Sequence, residues 1–236
     1  RVQDLEKFKQ SLRQTSSGSL ASMSVAGGYG IGKTSFLHKC KYLSEQQNAL
    51  TIYFSLNELD DLNKETLARI LIERVQAKVR EEVILQRISE KILNALKKIK
   101  IKTESGIEIS FSGDKEDNFP NLHSALTAVW NNLKDIKTAI VFLIDEARVL
   151  EKNRAELILY LRAVLEQLQV NKVPVMIIPA GKLSITGPSG TGFSPLVRTF
   201  PPAILDNFNF QESKSFIERK LTQVKINIKE DLIEKI

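Results

Sequence analysis

Gly27-Gly28-Tyr29-Gly30-Ile31-Gly32-Lys33-Thr34 constrains this chain more than any other stretch. It reads as Gly, four residues, then Gly-Lys-Thr, a pattern that folds as a loop between a strand and a helix. The glycines let the backbone bend tightly with no Cβ in the way. Successive N–H groups can then point inward and form a concave anion site. The Lys33 ammonium offers a point charge to the β- and γ-phosphates of a nucleotide, and the Thr34 hydroxyl is a hard oxygen ligand suited to Mg²⁺. With Ser35, these residues form the candidate nucleotide-binding set.

The flanks have the order this mechanism needs. Ser22-Met23-Ser24-Val25-Ala26 is a short, largely apolar run that reads as a buried strand. After the loop, Phe36, Leu37, Cys40 and Leu43 recur at helical spacing. A helix starting there adds a favourable potential for phosphate.

The second signal is Ala139-Ile140-Val141-Phe142-Leu143-Ile144-Asp145-Glu146. A run of six apolar residues ending in two carboxylates reads as a central parallel strand buried on both faces. Ligands bind at the C-terminal ends of strands in open α/β sheets. Asp145 is placed to hold Mg²⁺, directly or through water. Glu146 is the candidate general base for an attacking water. Leu50–Leu56, Val173–Pro179 and Ala203–Leu205 read as further strands, the prolines of the second standing near its ends where they are tolerated. Leu157, Leu161, Val164, Leu165 and Leu168 form a helical stripe between them. Such alternation predicts a mainly parallel sheet covered by helices on both faces.

These motifs resemble an AAA+ ATPase, through the glycine loop, the strand ending Asp145-Glu146 and the later strand ending Pro179-Ala180-Gly181. The closest branch is the archaeal and bacterial ATPases related to the origin recognition complex and to the signal-transduction ATPases with numerous domains. The resemblance implies ATP with Mg²⁺ and hydrolysis to ADP, and no guanine-reading Asn-Lys-x-Asp pattern stands downstream. Arg1-Val2-Gln3-Asp4-Leu5-Glu6 is similar to the family's entry segment beside the adenine. Pro195–Phe200 resembles the arginine-finger region, which places Arg198 at the finger and implies a homo-oligomer. Asn207–Ser213, with Phe216, Ile217 and Leu221, resembles the start of the helical lid, and Leu232, Ile233 and Ile236 the next lid helix. The family's first sensor position is usually polar. Here the strand tip reads Ile178-Pro179-Ala180-Gly181-Lys182, which implies slow turnover.

Thr66–Lys98 carries apolar residues mainly at helical steps. The period then changes: Ile99, Ile101, Ile107, Ile109 and Phe111 alternate with polar residues around a Glu104-Ser105-Gly106 turn, a β-hairpin signal. Lys98, Lys100 and Lys102 lie on its other face and suit either solvent or DNA. Gly187–Gly192 lacks a Lys-Thr and reads as a flexible loop. His38 and His123 give no metal-ligand pattern, and Trp130 packs a helix over Leu122–Leu133.

The net charge of +6 permits a DNA or other acidic partner without requiring one. The longest apolar run, Ala139–Ile144, is strand-sized and too short to span a membrane. The single Cys40 excludes an internal disulfide framework, and a cytoplasmic setting is the expectation. Starting at Arg1 and ending in a charged amphipathic run, the chain reads as part of a longer protein.

The expectation is therefore an α/β P-loop NTPase of AAA+ type: a three-layer sandwich with a five-stranded, mainly parallel sheet. Residues 1–205 form the core with an insertion at about 65–118, and 206–236 begin a lid. The expected activity is Mg-dependent ATP hydrolysis driving a conformational switch. The alternative is a nucleotide-stabilised DNA-binding or scaffold module with negligible turnover.

Overall fold

The computed structural model describes residues 1–56, 62–85, 100–102, 108–110, 122–147, 150, 154–181 and 199–223. In chain order the elements are α1 (Val2–Ser16), β1 (Ser24–Ala26), α2 (Lys33–Gln46), β2 (Leu50–Ser55) and α3 (Lys64–Ile84). They continue with β3 (Lys100–Lys102), β4 (Glu108–Ser110), α4 (Leu122–Leu133), β5 (Ile140–Asp145) and α5 (Arg154–Val170). The last are β6 (Val175–Gly181), β7 (Pro202–Ile204) and α6 (Phe210–Gln223).

Five strands form one sheet in the order β2-β5-β6-β1-β7, with every neighbouring pair parallel. The β5 sequence shows why it lies centrally. Ile140, Phe142 and Ile144 belong to one core cluster and Val141 and Leu143 to the other, as a two-residue period demands of a strand buried on both sides. The helices α3, α4 and α5 cover the first face through Leu71, Leu126 and Leu161. On the second, α1 and α2 pack through Phe8, Leu12, Phe36, Leu37 and Cys40. The stripe of Leu157, Leu161, Val164, Leu165 and Leu168 read from the sequence is buried.

The order of strands decides where α2 goes. It leaves β1 and must reach β2 at the sheet edge, so it crosses β6 and β5 on the way. The helix that starts at Lys33 therefore overlies the strand that ends at Asp145.

Local details differ from a plain reading of the strands. Pairing of β1 starts at Ser24, because Ser22 uses its side chain instead: the Ile177 N–H donates to Ser22 Oγ at 3.0 Å. Pro174 precedes β6, but Pro179 lies within it. Pairing with β5 ends at Ile144↔Pro179 and pairing with β1 begins at Val25↔Ala180. The proline stands where β6 passes from one neighbour to the other, so its missing N–H costs little in the ladder.

At the N-terminal ends of the strands, Lys137 Nζ donates to Glu82 Oε2 at 2.9 Å, and Lys78 lies 3.3 Å from Glu82 Oε1. This buried cluster joins α3 to the segment entering β5. The inserted hairpin is present as the antiparallel pair β3–β4, in the register Lys100↔Ser110 and Lys102↔Glu108. A reciprocal cap opens α6: the Glu212 N–H donates to Asn209 Oδ1 at 2.8 Å and the Asn209 N–H to Glu212 Oε2 at 3.1 Å. No residue of α6 is buried.

Candidate functional site at the C-terminal edge of the sheet

The glycine loop follows β1 directly. A Cβ on Gly27 would stand 2.8 Å from both the Leu205 carbonyl oxygen and Ile31 Cγ2, so only glycine fits this approach. The Leu205 N–H donates to the Ala26 carbonyl at 2.7 Å and fixes the root of the loop against the continuation of β7. Gly32, at φ +90°, caps α2, and the Phe36 N–H donates to its carbonyl at 2.9 Å. A left-handed residue at that cap again favours glycine.

Lys33 Nζ donates to the carbonyls of Gly27 at 3.1 Å and Gly28 at 2.6 Å. Its charge therefore sits across the loop it terminates. Gly28, Tyr29, Gly30, Thr34 and Ser35 are exposed. The amides of the first α2 turn and the Lys33 ammonium supply positive potential in one open place.

The acidic pair leaves the same edge one strand away, because β6 separates β5 from β1. At ordinary strand spacing that is about 10 Å. Asp145 is 4% exposed. Its Oδ2 accepts from the Tyr53 hydroxyl at 2.9 Å and its Oδ1 from the Glu146 N–H at 2.9 Å. Glu146 is half-buried and takes φ +48°. The Ala147 N–H then donates to the Ala180 carbonyl at 2.8 Å, tying the acidic turn to β6.

Tyr53 lies on the face covered by α2. Its ring centroid is 4.7 Å from that of His38, with the planes tilted by 34°. Burial, then the bond to Asp145 and the charges of Asp145 and Glu146, push the Tyr53 phenol up to about 12. It stays a donor at neutral pH. In the sequence, Tyr53 is legible only as a residue of the Leu50–Leu56 strand. Alternation puts Tyr53 on the same face as Ser55, but only the pairing of β2 with β5 brings its phenol to Asp145.

Arg1 joins three elements. Its guanidinium donates to the Ile31 carbonyl and, at 3.2 Å, to the Asp206 carbonyl, and lies 4.7 Å from the Phe208 ring centroid. The start of α1 thus meets the glycine loop and the link from β7 to α6.

No group of three or more His, Cys, Asp or Glu side chains is placed to hold a metal among the described residues. A threonine hydroxyl and one carboxylate instead match Mg²⁺, which keeps most of its shell for water and phosphate oxygens. The tip of β6, Pro179-Ala180-Gly181, offers no polar side chain. Arg198, Lys182, Gly187–Gly192 and Leu232–Ile236 lie outside the described residues. His123 contacts Asn171 at 2.6 Å, and Trp130 of α4 packs against the core. No described helix is long and apolar enough to cross a membrane.

A family model for the KAP family P-loop domain matches residues 5–179. No curated protein matches the sequence. Among solved structures, the chain is similar to the Walker-type ATPase paby2304 of Pyrococcus abyssi, at 17% identity and TM-score 0.55, over 98% of this chain and 60% of that one. It is also similar to the Aeropyrum pernix ORC2 protein, solved as ADPNP-ADP complexes, at 12% identity and TM-score 0.58, over 94% of this chain and 51% of that one. Drosophila ORC bound to DNA gives 14% identity and TM-score 0.57, over 94% of this chain and 47% of that one. The chain spans about half the length of the last two. At these identities the likeness is one of fold, and it agrees with the P-loop architecture read from the motifs.

Proposed function

The chain belongs to the KAP family of P-loop domains, and from that premise we propose that it binds ATP with Mg²⁺ and hydrolyses it to drive a conformational switch. One observation carries the reading: the glycine loop and the Asp145–Glu146 turn leave the same sheet edge, while α2 packs over the strand bearing the carboxylates.

The residues divide the work. The loop amides of Gly27 to Gly32 and the first turn of α2 bind the phosphates, with Tyr29, Ile31 and Ser35 completing the cradle. Lys33 exchanges the carbonyls of Gly27 and Gly28 for β- and γ-phosphate oxygens. Thr34 and Asp145 hold the ion, and when bound Mg²⁺ neutralises charge on the phosphate oxygens. Glu146 accepts a proton from the attacking water, which its place beyond the strand end leaves room for. Arg198 is assigned the finger role, acting on the γ-phosphate of a neighbouring copy in a homo-oligomer. Residues 1–205 are the core of this reading and 206–236 the start of the lid. Arg1, whose guanidinium meets the carbonyls of Ile31 and Asp206, would report nucleotide to the lid. A cytoplasmic setting belongs to the same proposal.

Single-turnover assays with radiolabelled ATP test it. Mg-dependent release of phosphate supports hydrolysis. Tight ATP binding with no release favours the second reading, a nucleotide-stabilised DNA-binding or scaffold module, which the apolar tip of β6 supports. In that case DNA affinity should fall steeply with salt as phosphate contacts release counterions. Absence of binding overturns both.

A further inference from the structure

We infer that Tyr53 is a positioning residue for Asp145, and that His38 ties this clamp to the helix carrying Thr34. The inference rests on the proposed assignment of Asp145 and Thr34 to a metal ion.

A carboxylate at a strand tip is free to rotate about its side-chain torsions. Here both oxygens have partners on the protein: Oδ2 takes the Tyr53 hydroxyl and Oδ1 the Glu146 N–H, each at 2.9 Å. Two donors at opposite oxygens fix the plane of the group. Each oxygen can accept more than one bond, so lone pairs remain for a cation or its water. Partners of this kind orient a ligating carboxylate.

The reach of Tyr53 follows from the register of the sheet. Tyr53 pairs with Leu143 and Ser55 with Asp145. Tyr53 is therefore one same-face step below Asp145 on the adjacent strand, a separation that a phenol spans and a shorter side chain does not. Backbone pairing thus sets where the hydroxyl stands.

The Tyr53 ring also meets that of His38. His38 follows Thr34 by four residues in α2, so the two share a helix face. The contact chain runs from the helix of one proposed ion ligand, through His38 and Tyr53, to the carboxylate of the other. It fixes the spacing between α2 and β5 where the ion would bind. No residue of the loop motif or of the acidic pair performs that job.

Calorimetry of ATP binding, in excess Mg²⁺ and in EDTA, tests the inference through the metal-dependent gain in affinity. Tyr53→Phe removes only the hydroxyl. It should cut that gain about 10-fold or more, with the EDTA affinity unchanged. His38→Phe, which keeps a ring, should retain more of the gain than His38→Ala. Because Tyr53 acts through Asp145, adding Tyr53→Phe to Asp145→Asn should cost nothing further. The Mg-ATP shift of each variant's thermal midpoint, measured from its own ligand-free value, gives the same comparison if a variant is less stable. A wild-type gain that survives Tyr53→Phe, or additive losses in the double variant, overturns the Tyr53 role and leaves the nucleotide reading standing. A wild type with no metal-dependent gain overturns the assignment of Asp145 itself, and the inference with it.

Discussion

The backbone N–H of Glu146 donates back to Asp145 Oδ1 at 2.9 Å, and Glu146 adopts φ +48° in doing so. A side chain in the left-handed region costs about 1 kcal/mol or more. The turn stores that strain where the two carboxylates leave the sheet. Glu146→Gly should relieve it and raise unfolding stability by about 0.5–1 kcal/mol, read by urea denaturation. A loss of stability would mean that the Glu146 side chain itself holds the turn.

Glu146→Gln keeps the shape and removes the base. Phosphate release in a single turnover should slow by about 10²–10⁴-fold. ATP affinity should stay within a factor of about two, since Lys33 and the loop carry binding in this account. Equal rates in the two proteins would remove Glu146 from the chemistry.

Gly27→Ala pushes a methyl into the Leu205 carbonyl, 2.8 Å from the new carbon. Backbone cannot swing aside as a side chain can, so the loop root must shift. A cost of about 1–3 kcal/mol is expected in denaturant unfolding, together with weaker ATP binding. An unchanged melting curve would show that the root of the loop yields freely.

Glu82 gives a pH signature away from the nucleotide. Burial alone would push its carboxyl up, but the bonds and charges of Lys137 and Lys78 outweigh burial and hold it below its ordinary 4.5. A carboxyl lowered on folding contributes stability that is fully present above about pH 4.5 and is lost as pH falls through the folded value. Glu82→Ala should cost about 3–5 kcal/mol at neutral pH, because it leaves the buried Lys137 ammonium without its carboxylate, while Lys78 keeps Glu81 at 2.8 Å. The gap to wild type should narrow in acid. A gap that stays constant on acidification would contradict the ion-pair account.

The sheet was legible in the sequence because its strands are apolar runs of strand length bounded by loop residues. Ile140–Ile144 announces a strand buried on both faces with no tertiary information. The glycine loop was legible because backbone geometry at Gly27 and Gly32 admits almost no other residue. Pairwise relations between distant segments were not. Tyr53 meets Asp145 only because β2 and β5 are neighbours, an adjacency that chain order does not state. The same holds for Lys137 and Glu82, which lie 55 positions apart. The left-handed turn at Glu146 has no local signal, since glutamate has no preference for it. Pro179 read as a strand end, and only the change of neighbours along β6 explains its place inside.

The central claim is that a nucleotide triphosphate rests in the loop that Lys33 closes. Calorimetric titration of wild type and Lys33→Ala with Mg-ATP tests it most directly. The account predicts that wild type binds and that the variant, folded by its melting curve, loses about 10–100-fold in affinity, as expected for one charge-assisted contact. Undiminished affinity in Lys33→Ala would contradict it.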